Sequence, residues 1–284
     1  MNTYEMRIDQ LNFNITETYN NIEAFSIGHE SCIIKFFKVV HNQALLEFIK
    51  NQYKLGKQIR IITPFVPEQH LEEIKNLIPQ LCQEEYFQNS VIIINDLGLM
   101  SYIHRIEPMR QMCLGRNLLA CFDHAPWGHK IYESEPPHIQ KVIAQISFYD
   151  DEKMDFFKQY HITEIEANLT KGSTDSLKEI QKAGFKVNIY QSSFLYGIQR
   201  SCYIRRYNTD QTCNGTECDS SEQLELDKLW CGAGFYQIEE NIEFPSPLYL
   251  RGNQIYGKTQ NILCDWADRI IVSPESYNIQ GGKK

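Results

Sequence analysis

The strongest constraint on the fold is a regular alternation of two kinds of segment over the first two hundred residues. Short apolar runs at residues 24–27, 58–63 and 90–94, the last two rich in β-branched residues, each end at a glycine, proline or polar turn. Between them, residues 68–82 carry apolar side chains every three or four positions, the period of a helix packed on one face. Such a β-α-β-α order predicts a parallel sheet, because parallel neighbours need a crossover connection.

The alternation continues along the chain. Further helices are predicted at residues 42–53, 154–160 and 173–183, and further strands at 117–122, 164–167, 185–190 and 269–272. This many repeats is enough for a TIM-barrel-like parallel β/α barrel, complete or incomplete, which is the predicted fold. We expect one barrel-like domain over residues 1–284, with residues 200–232 as an embedded cysteine-rich segment.

The predicted barrel also places its candidate functional residues. In parallel β/α folds, sites gather at the C-terminal ends of the strands. One rim is therefore expected to carry the turns at residues 27–32, 95–98 and 191–194, together with Pro64 and Asp123.

Charge and hydropathy exclude several classes of protein. The formal net charge of -8 disfavours a nucleic-acid partner, because binding to phosphates depends on basic side chains. The first residues lack the basic and apolar regions of a secretory signal. No apolar run approaches the roughly 20 residues of a membrane helix. We therefore expect a cytoplasmic protein without a membrane span.

Eight of the nine cysteines, all except Cys32, fall into two groups. Without an export signal a disulfide framework is not expected, since the cytosol keeps thiols reduced. One group lies in apolar or amphipathic surroundings typical of buried free thiols: Cys82, Cys113, Cys121 and Cys264. The other group crowds into one polar segment without periodicity: Cys202, Cys213, Cys218 and Cys231. This second group indicates a bound metal.

Spacing alone does not choose the metal. Cys213 and Cys218 only approximate the tight knuckle of a zinc site, and no histidine follows His161 to complete a mixed site. Iron–sulfur clusters tolerate looser spacing and recruit cysteines from elsewhere in the chain. The cysteine spacing therefore favours neither an iron–sulfur cluster nor zinc. The alternative without a metal is a loop of free thiols.

Several segments of the chain match the motifs of a known family in their order. Residues 25–32 are a hydrophobic run, a glycine and then Cys32. The turns at residues 56–64, 95–98 and 115–123 follow, and then residues 200–206 (RSCYIRR) and 250–254 (LRGNQ). This succession resembles the collagenase-like peptidase family (family U-thirty-two), and within it the UbiV-like branch. The last two segments are similar to that family's Ala-Arg-Cys-Phe-Thr-Ala-Arg and Leu-Asn-Gly-x-Gln motifs.

The chain departs from the family pattern in identifiable places. His29 stands where the family has a glutamate, and Glu30 follows one position later. Asp123 replaces a turn asparagine. The spacing from Cys202 to Cys213 is shorter than in the UbiV-like branch, and the spacing from Cys213 to Cys218 is longer.

The resemblance implies a 4Fe-4S cluster held by Cys32, Cys202, Cys213 and Cys218, with Cys231 as an alternative ligand. It also implies a role in oxygen-independent hydroxylation of a small aromatic or quinone-type substrate. Prephenate would be the oxygen donor, and a UbiU-like homologous subunit the partner. Catalytic residues are not indicated.

Other functions stay open from the sequence. Three arginines near Cys202 have more than one possible role: compensation of the cluster's charge, binding of a carboxylated donor, or a solvated basic loop. They are Arg200, Arg205 and Arg206. An RNA-modifying hydroxylase of the same family is one alternative, and a zinc-structured binding module is another. A peptidase is a third, although His104, His124 and His129 belong to no visible catalytic arrangement.

Overall fold

The computed structural model describes most of the chain, with gaps. Side chains are described for residues 2–15, 19–120, 133–199, 202, 247–257, 259 and 262–274, and residues 222–224 are described as backbone.

Eight parallel strands close into a barrel, which confirms the predicted TIM-barrel-like α/β fold. In barrel order the strands are β1 Thr3–Ile8, β2 Ala24–Gly28, β3 Gln58–Ile62, β4 Val91–Ile94, β5 Met112–Leu114, β6 Ile162–Ala167, β7 Lys186–Tyr190 and β12 Arg269–Val272. The last strand pairs with both β7 and β1, so the sheet has no free edge.

Helices cover the outside of the barrel. They are α1 Ile33–Val40, α2 Gln43–Lys54, α3 Leu71–Gln83, α4 Leu97–Ile106, α5 Pro137–Ala144, α6 Asp151–Gln159 and α7 Thr174–Lys182, with 3₁₀ turns at Glu68–His70 and Arg116–Leu118. Asn42 and Asp96 cap α2 and α4 by accepting hydrogen bonds from backbone N–H groups. Apolar side chains from both layers form the main core between strands and helices.

The strand predicted at residues 117–122 is wrong in its described part. The strand lies earlier, at Met112–Leu114, and residues 116–118 form a 3₁₀ turn. A Cβ at Gly115 would lie 2.2 Å from the Asn95 Oδ1, so the chain passes closely over the end of β4. After that close contact, Arg116 points into the barrel mouth instead of continuing the sheet.

The first strand, β1, has no counterpart among the predicted elements. The side chains of Glu5 and Arg7 point into the barrel. In a half-buried strand such polar residues would face water, so the sequence of β1 does not identify it as a barrel strand. Both charges are buried and paired inside the barrel: Glu5 lies 3.1 Å from Arg60, and Arg7 lies 2.6 Å from Glu166. Pairing of this kind offsets the cost of removing charges from water.

A second sheet is inserted between β7 and β12. It is antiparallel, in the order β8 Phe194–Ile198, β11 Gln254–Gly257, β10 Leu248–Arg251 and β9 Glu222–Leu224. We call it the cap sheet. Asn168, just after β6, attaches it to the barrel by donating to the Leu195 carbonyl and accepting from the Leu195 N–H.

Within the described residues, no helix has the length and apolar character needed to span a membrane.

Candidate functional site

The loop that carries Cys32 begins at a glycine that no other residue can replace without strain. Gly28 ends β2 with a φ of +131°, and a Cβ there would lie 2.1 Å from the carbonyl oxygen of Ile62 on β3. This close crossing turns the chain sharply over the rim of the barrel.

His29 shapes the turn that follows. Its buried ring accepts hydrogen bonds at Nδ1 from the N–H of Ser31, at 3.2 Å, and from the N–H of Cys32, at 3.0 Å. Burial lowers the pKa of His29 well below its ordinary value, and the Lys35 charge lowers it further. The ring is therefore neutral, with its proton on Nε2. Cys32 is held as the N-cap residue of α1.

Glu30 fastens the same loop from the other side. Its buried carboxylate accepts two hydrogen bonds from Arg116, at 2.9 and 2.7 Å, and one from Gln254 at 2.7 Å. Burial alone would raise the pKa of Glu30, but the Arg116 guanidinium outweighs it and lowers that pKa to about 2. Arg116 also donates to the Ser193 carbonyl at 2.7 Å. This ion pair thus joins β2, β5 and the cap sheet.

Asn253 links the two chain segments that carry Cys32 and Cys202. Its side-chain amide donates to the Ser31 carbonyl at 3.1 Å and to the Gln199 carbonyl at 2.9 Å. In return, the Ser31 hydroxyl donates to the Asn253 Oδ1 at 2.8 Å. One buried amide therefore binds the residue before Cys32 and a residue three positions before Cys202.

The described cysteines differ in their surroundings. Cys32 and Cys202 are half-buried, whereas Cys82, Cys113 and Cys264 are buried. Burial raises the pKa of all three buried thiols, that of Cys82 to about 11. The two half-buried thiols are the two predicted ligands that the structure describes.

The other predicted ligands, Cys213, Cys218 and the alternative Cys231, lie outside the described residues. So does Cys121. Within the residues that are described, no group of three or more histidine, cysteine, aspartate or glutamate side chains is placed to hold a metal. Half of the predicted cluster site is thus described.

Several predicted residues fall elsewhere. Asp123, His124, His129, Arg200, Arg205 and Arg206 lie outside the described residues. His104 lies near the end of α4, where its ring contacts Tyr160, with centroids 4.9 Å apart. The end of a barrel helix lies opposite the rim, so His104 is remote from the loop of Cys32.

A small polar cavity opens at the barrel mouth, with a volume of about 60 Å³. It is lined by residues at the strand ends and on the cap sheet: Asp9, Glu30, Arg116, Tyr190, Ser192, Ser193, Leu195, Arg251, Gln254, Tyr256 and Ser273. The Arg116 guanidinium stacks 3.6 Å from the centre of the Tyr190 ring. Burial raises the pKa of Asp9, although Arg251 and Lys35 act in the opposite direction.

Asp9, Arg116 and Asn253 were not among the residues singled out from the sequence. Asp9 directly follows a strand that was not predicted, and Arg116 lies between the observed strand at residues 112–114 and the strand predicted at 117–122. Asn253 lies inside the stretch that resembles the family motif, but nothing in its own identity indicates that it bridges residues 31 and 199.

Comparisons with models of known protein families, with curated proteins and with solved structures gave no match to this chain. The functional interpretation therefore depends on the geometry of the rim and on the residues that carry it.

Proposed function

We propose that this chain is a 4Fe-4S protein whose cluster is held by Cys32, Cys202, Cys213 and Cys218. The supporting observation is the arrangement of the two ligands that are described. Both thiols are half-buried, and the segments that carry them are joined through the side chain of Asn253. The three buried cysteines, Cys82, Cys113 and Cys264, have neither property.

The local structure around Cys32 suits a thiolate ligand. The residue caps α1, whose first turn contains no acidic side chain, and the N-terminus of a helix favours negative charge. His29 holds the backbone amides of Ser31 and Cys32 in place, so the loop needs little rearrangement to present its sulfur. Sulfur donors of this kind fit iron–sulfur clusters and zinc alike, and the metal is decided by experiment.

A bound cluster would supply one-electron chemistry at the C-terminal rim. We propose that this chemistry serves an oxygen-independent hydroxylation of a small aromatic or quinone-type molecule, with prephenate as oxygen donor. The residues of this chain would hold the cluster, fix the rim through the Glu30–Arg116 ion pair, and keep the cap sheet over the mouth.

The size of the mouth cavity limits what binds there. An engineered cavity of about 150 Å³ encloses benzene. The part of the mouth cavity that the described residues line has about 60 Å³, room for a substituent of an aromatic ring. The proposal therefore includes a homologous UbiU-like subunit, which would contribute surface for the rest of the substrate.

Metal analysis of the full chain, purified without oxygen, tests the proposal. We expect brown protein with roughly four irons and matching sulfide per chain. Serine at Cys202 or Cys218 should remove the colour. Stoichiometric zinc without iron would contradict the proposal and support the zinc-structured binding module.

The same experiment decides the role of Cys231. If Cys218→Ser keeps its iron and Cys231→Ser loses it, Cys231 is the ligand. If Cys231→Ser keeps full iron, the four proposed ligands are sufficient.

A further inference from the structure

Lys35 is buried at the rim of the barrel, a rare position for a lysine. It lies in the first turn of α1, the helix whose N-cap residue is Cys32, and it is only 1% exposed. Lys38, one turn further along the same helix, is exposed. Lysine is almost never fully buried unless negative charge lies close to it. The burial of Lys35 therefore requires negative charge at this part of the rim.

The geometry of α1 directs the Lys35 side chain toward Cys32. Counted from Ile33, Lys35 is the third residue of the helix. The third residue and the N-cap residue lie beside each other, as the reciprocal contacts of a capping box show. A helical side chain also leans toward the N-terminus of its helix. The face that carries Lys35 continues with the buried residues Phe36 and Val39, so it is the inner face of α1.

The groups that feel the Lys35 charge lie on the same side of the rim. Burial lowers the pKa of His29, and Lys35 is the charge that lowers it most. Burial raises the pKa of Asp9, whereas the Lys35 charge, after that of Arg251, acts in the opposite direction. The His29 ring accepts a hydrogen bond from the N–H of Cys32 at 3.0 Å. The Lys35 ammonium is thus within electrostatic reach of a group that binds Cys32 directly.

Two arginines near the mouth are each paired with a carboxylate of the chain. Arg116 lies 2.7 Å from Glu30, and Arg7 lies 2.6 Å from Glu166. Their charges are therefore offset within the barrel. An ammonium group has three donor hydrogens, so Lys35 has the capacity to donate to a sulfur acceptor beside a protein partner. The charge near an iron–sulfur cluster and the hydrogen bonds to its sulfurs set its reduction potential.

We propose that the Lys35 ammonium is the counter-charge of the cluster bound at Cys32 and that it raises the reduction potential of that cluster. The proposal rests on the proposed function, because it needs a cluster at this position. Reduction adds one electron, and so one negative charge, to the cluster. A nearby cation stabilises the reduced state more than the oxidised state. Lys35 would thereby act on the cluster without being one of its ligands.

A redox titration of the full chain, purified without oxygen, tests the proposal. Lys35→Met removes the charge and keeps a side chain of similar length, so we expect a lower reduction potential than in the wild type, at the same iron content. Lys35→Arg keeps the charge and should have a potential closer to that of the wild type. Lys38→Met is the matched control on the same helix, and its potential should be unchanged because solvent screens an exposed charge.

A second measurement decides if Lys35→Met does not fold or loses its iron. Pulsed EPR of the reduced wild-type chain, made with ¹⁵N-labelled lysine, should show a nitrogen coupled to the cluster, and Lys35→Arg should lack that coupling. The proposal is overturned if Lys35→Met keeps both its iron and the wild-type potential, if Lys38→Met lowers the potential equally, or if the wild type shows no coupled nitrogen. A wild-type chain without iron would instead contradict the proposed function, and the role of Lys35 would fall with it.

Discussion

Cysteine has different surroundings at the rim of the barrel and on its strands, which we call the wall. On the wall, Cys113 packs inside the barrel with Ile62 and Ile93, and burial raises its thiol pKa. On the rim, Cys32 is half-buried at the start of α1, in a loop bound by polar side chains on both sides.

The difference shows that the environment decides whether a thiol is a packing element or a candidate ligand. Inside the barrel Cys113 has apolar contacts, and the Arg60 charge does not offset the effect of burial on its pKa. The rim supplies backbone N–H groups, a paired arginine and a connection to the segment of Cys202.

Arg116→Ala should damage the rim and spare the wall. Removing one partner of a buried ion pair leaves Glu30 uncompensated, which costs about 3–5 kcal/mol. Denaturant unfolding should show this loss, and hydrogen exchange should speed up at residues 29–32 more than at β4. Lys75→Ala is the control, because its exposed pair with Glu72 contributes below about 1 kcal/mol. An equal increase in the hydrogen-exchange rate of β4 would show that the rim and the barrel strands open together, as one cooperative unit.

The Glu30 carboxylate should make rim stability dependent on acid. Its folded pKa of about 2 lies below its ordinary value of 4.5. The contribution is therefore present above about pH 4.5 and is lost as the pH falls toward 2, by roughly 3 kcal/mol. Glu30→Gln should be less stable than wild type at neutral pH and should lose less between those values. Parallel curves of stability against pH for the wild type and Glu30→Gln would refute this. Glu72→Gln serves as the control at an exposed carboxylate.

Thiol alkylation should separate the two groups of cysteines in the metal-free chain. A pKa of about 11 for Cys82, two units above its ordinary 9.0, lowers its thiolate fraction about a hundredfold. Peptide mass spectrometry after brief alkylation should find Cys32 and Cys202 modified. The buried thiols should be unmodified: Cys82, Cys113 and Cys264. Iron-loaded protein should protect the rim thiols. Alkylation of Cys113 at the rate of Cys32 would remove the distinction.

Cys113→Ala should have the smallest effect. It removes one sulfur from a small apolar cluster, at a cost of about 1 kcal/mol, and leaves the iron content unchanged. Unfolding curves and iron analysis of one preparation measure both quantities. Loss of iron in this variant would assign a wall cysteine to the metal.

The elements with clear periodicity were predictable from sequence, whereas β1 and the position of β5 were not. The helices at 42–53 and 68–82 and the strands at 58–63 and 90–94 bury one continuous apolar face or run, so their patterns identify them. Strand β1 carries Glu5 and Arg7 inward, where the partners Arg60 and Glu166 come from distant strands. No local pattern reveals such a pairing.

The residues of the site also divide into those that a local sequence pattern indicates and those whose role appears only in the folded chain. Glycine followed by cysteine located the loop of Cys32, because Gly28 is required by the backbone crossing over Ile62. Asn253 and Arg116 act through contacts with residues 31 and 30, more than eighty positions away in the chain. Among the described residues no donor reaches the Asp9 Oδ1, a property that exists only in the folded chain.

Iron content per chain in two serine variants tests the central claim most directly. Cys32→Ser removes a half-buried rim thiol, and Cys264→Ser removes a buried one as the matched control. Both are purified without oxygen beside the wild-type chain. We expect Cys32→Ser to lose the cluster and Cys264→Ser to retain the wild-type iron. Full iron in Cys32→Ser would contradict the claim and exclude Cys32 as a ligand.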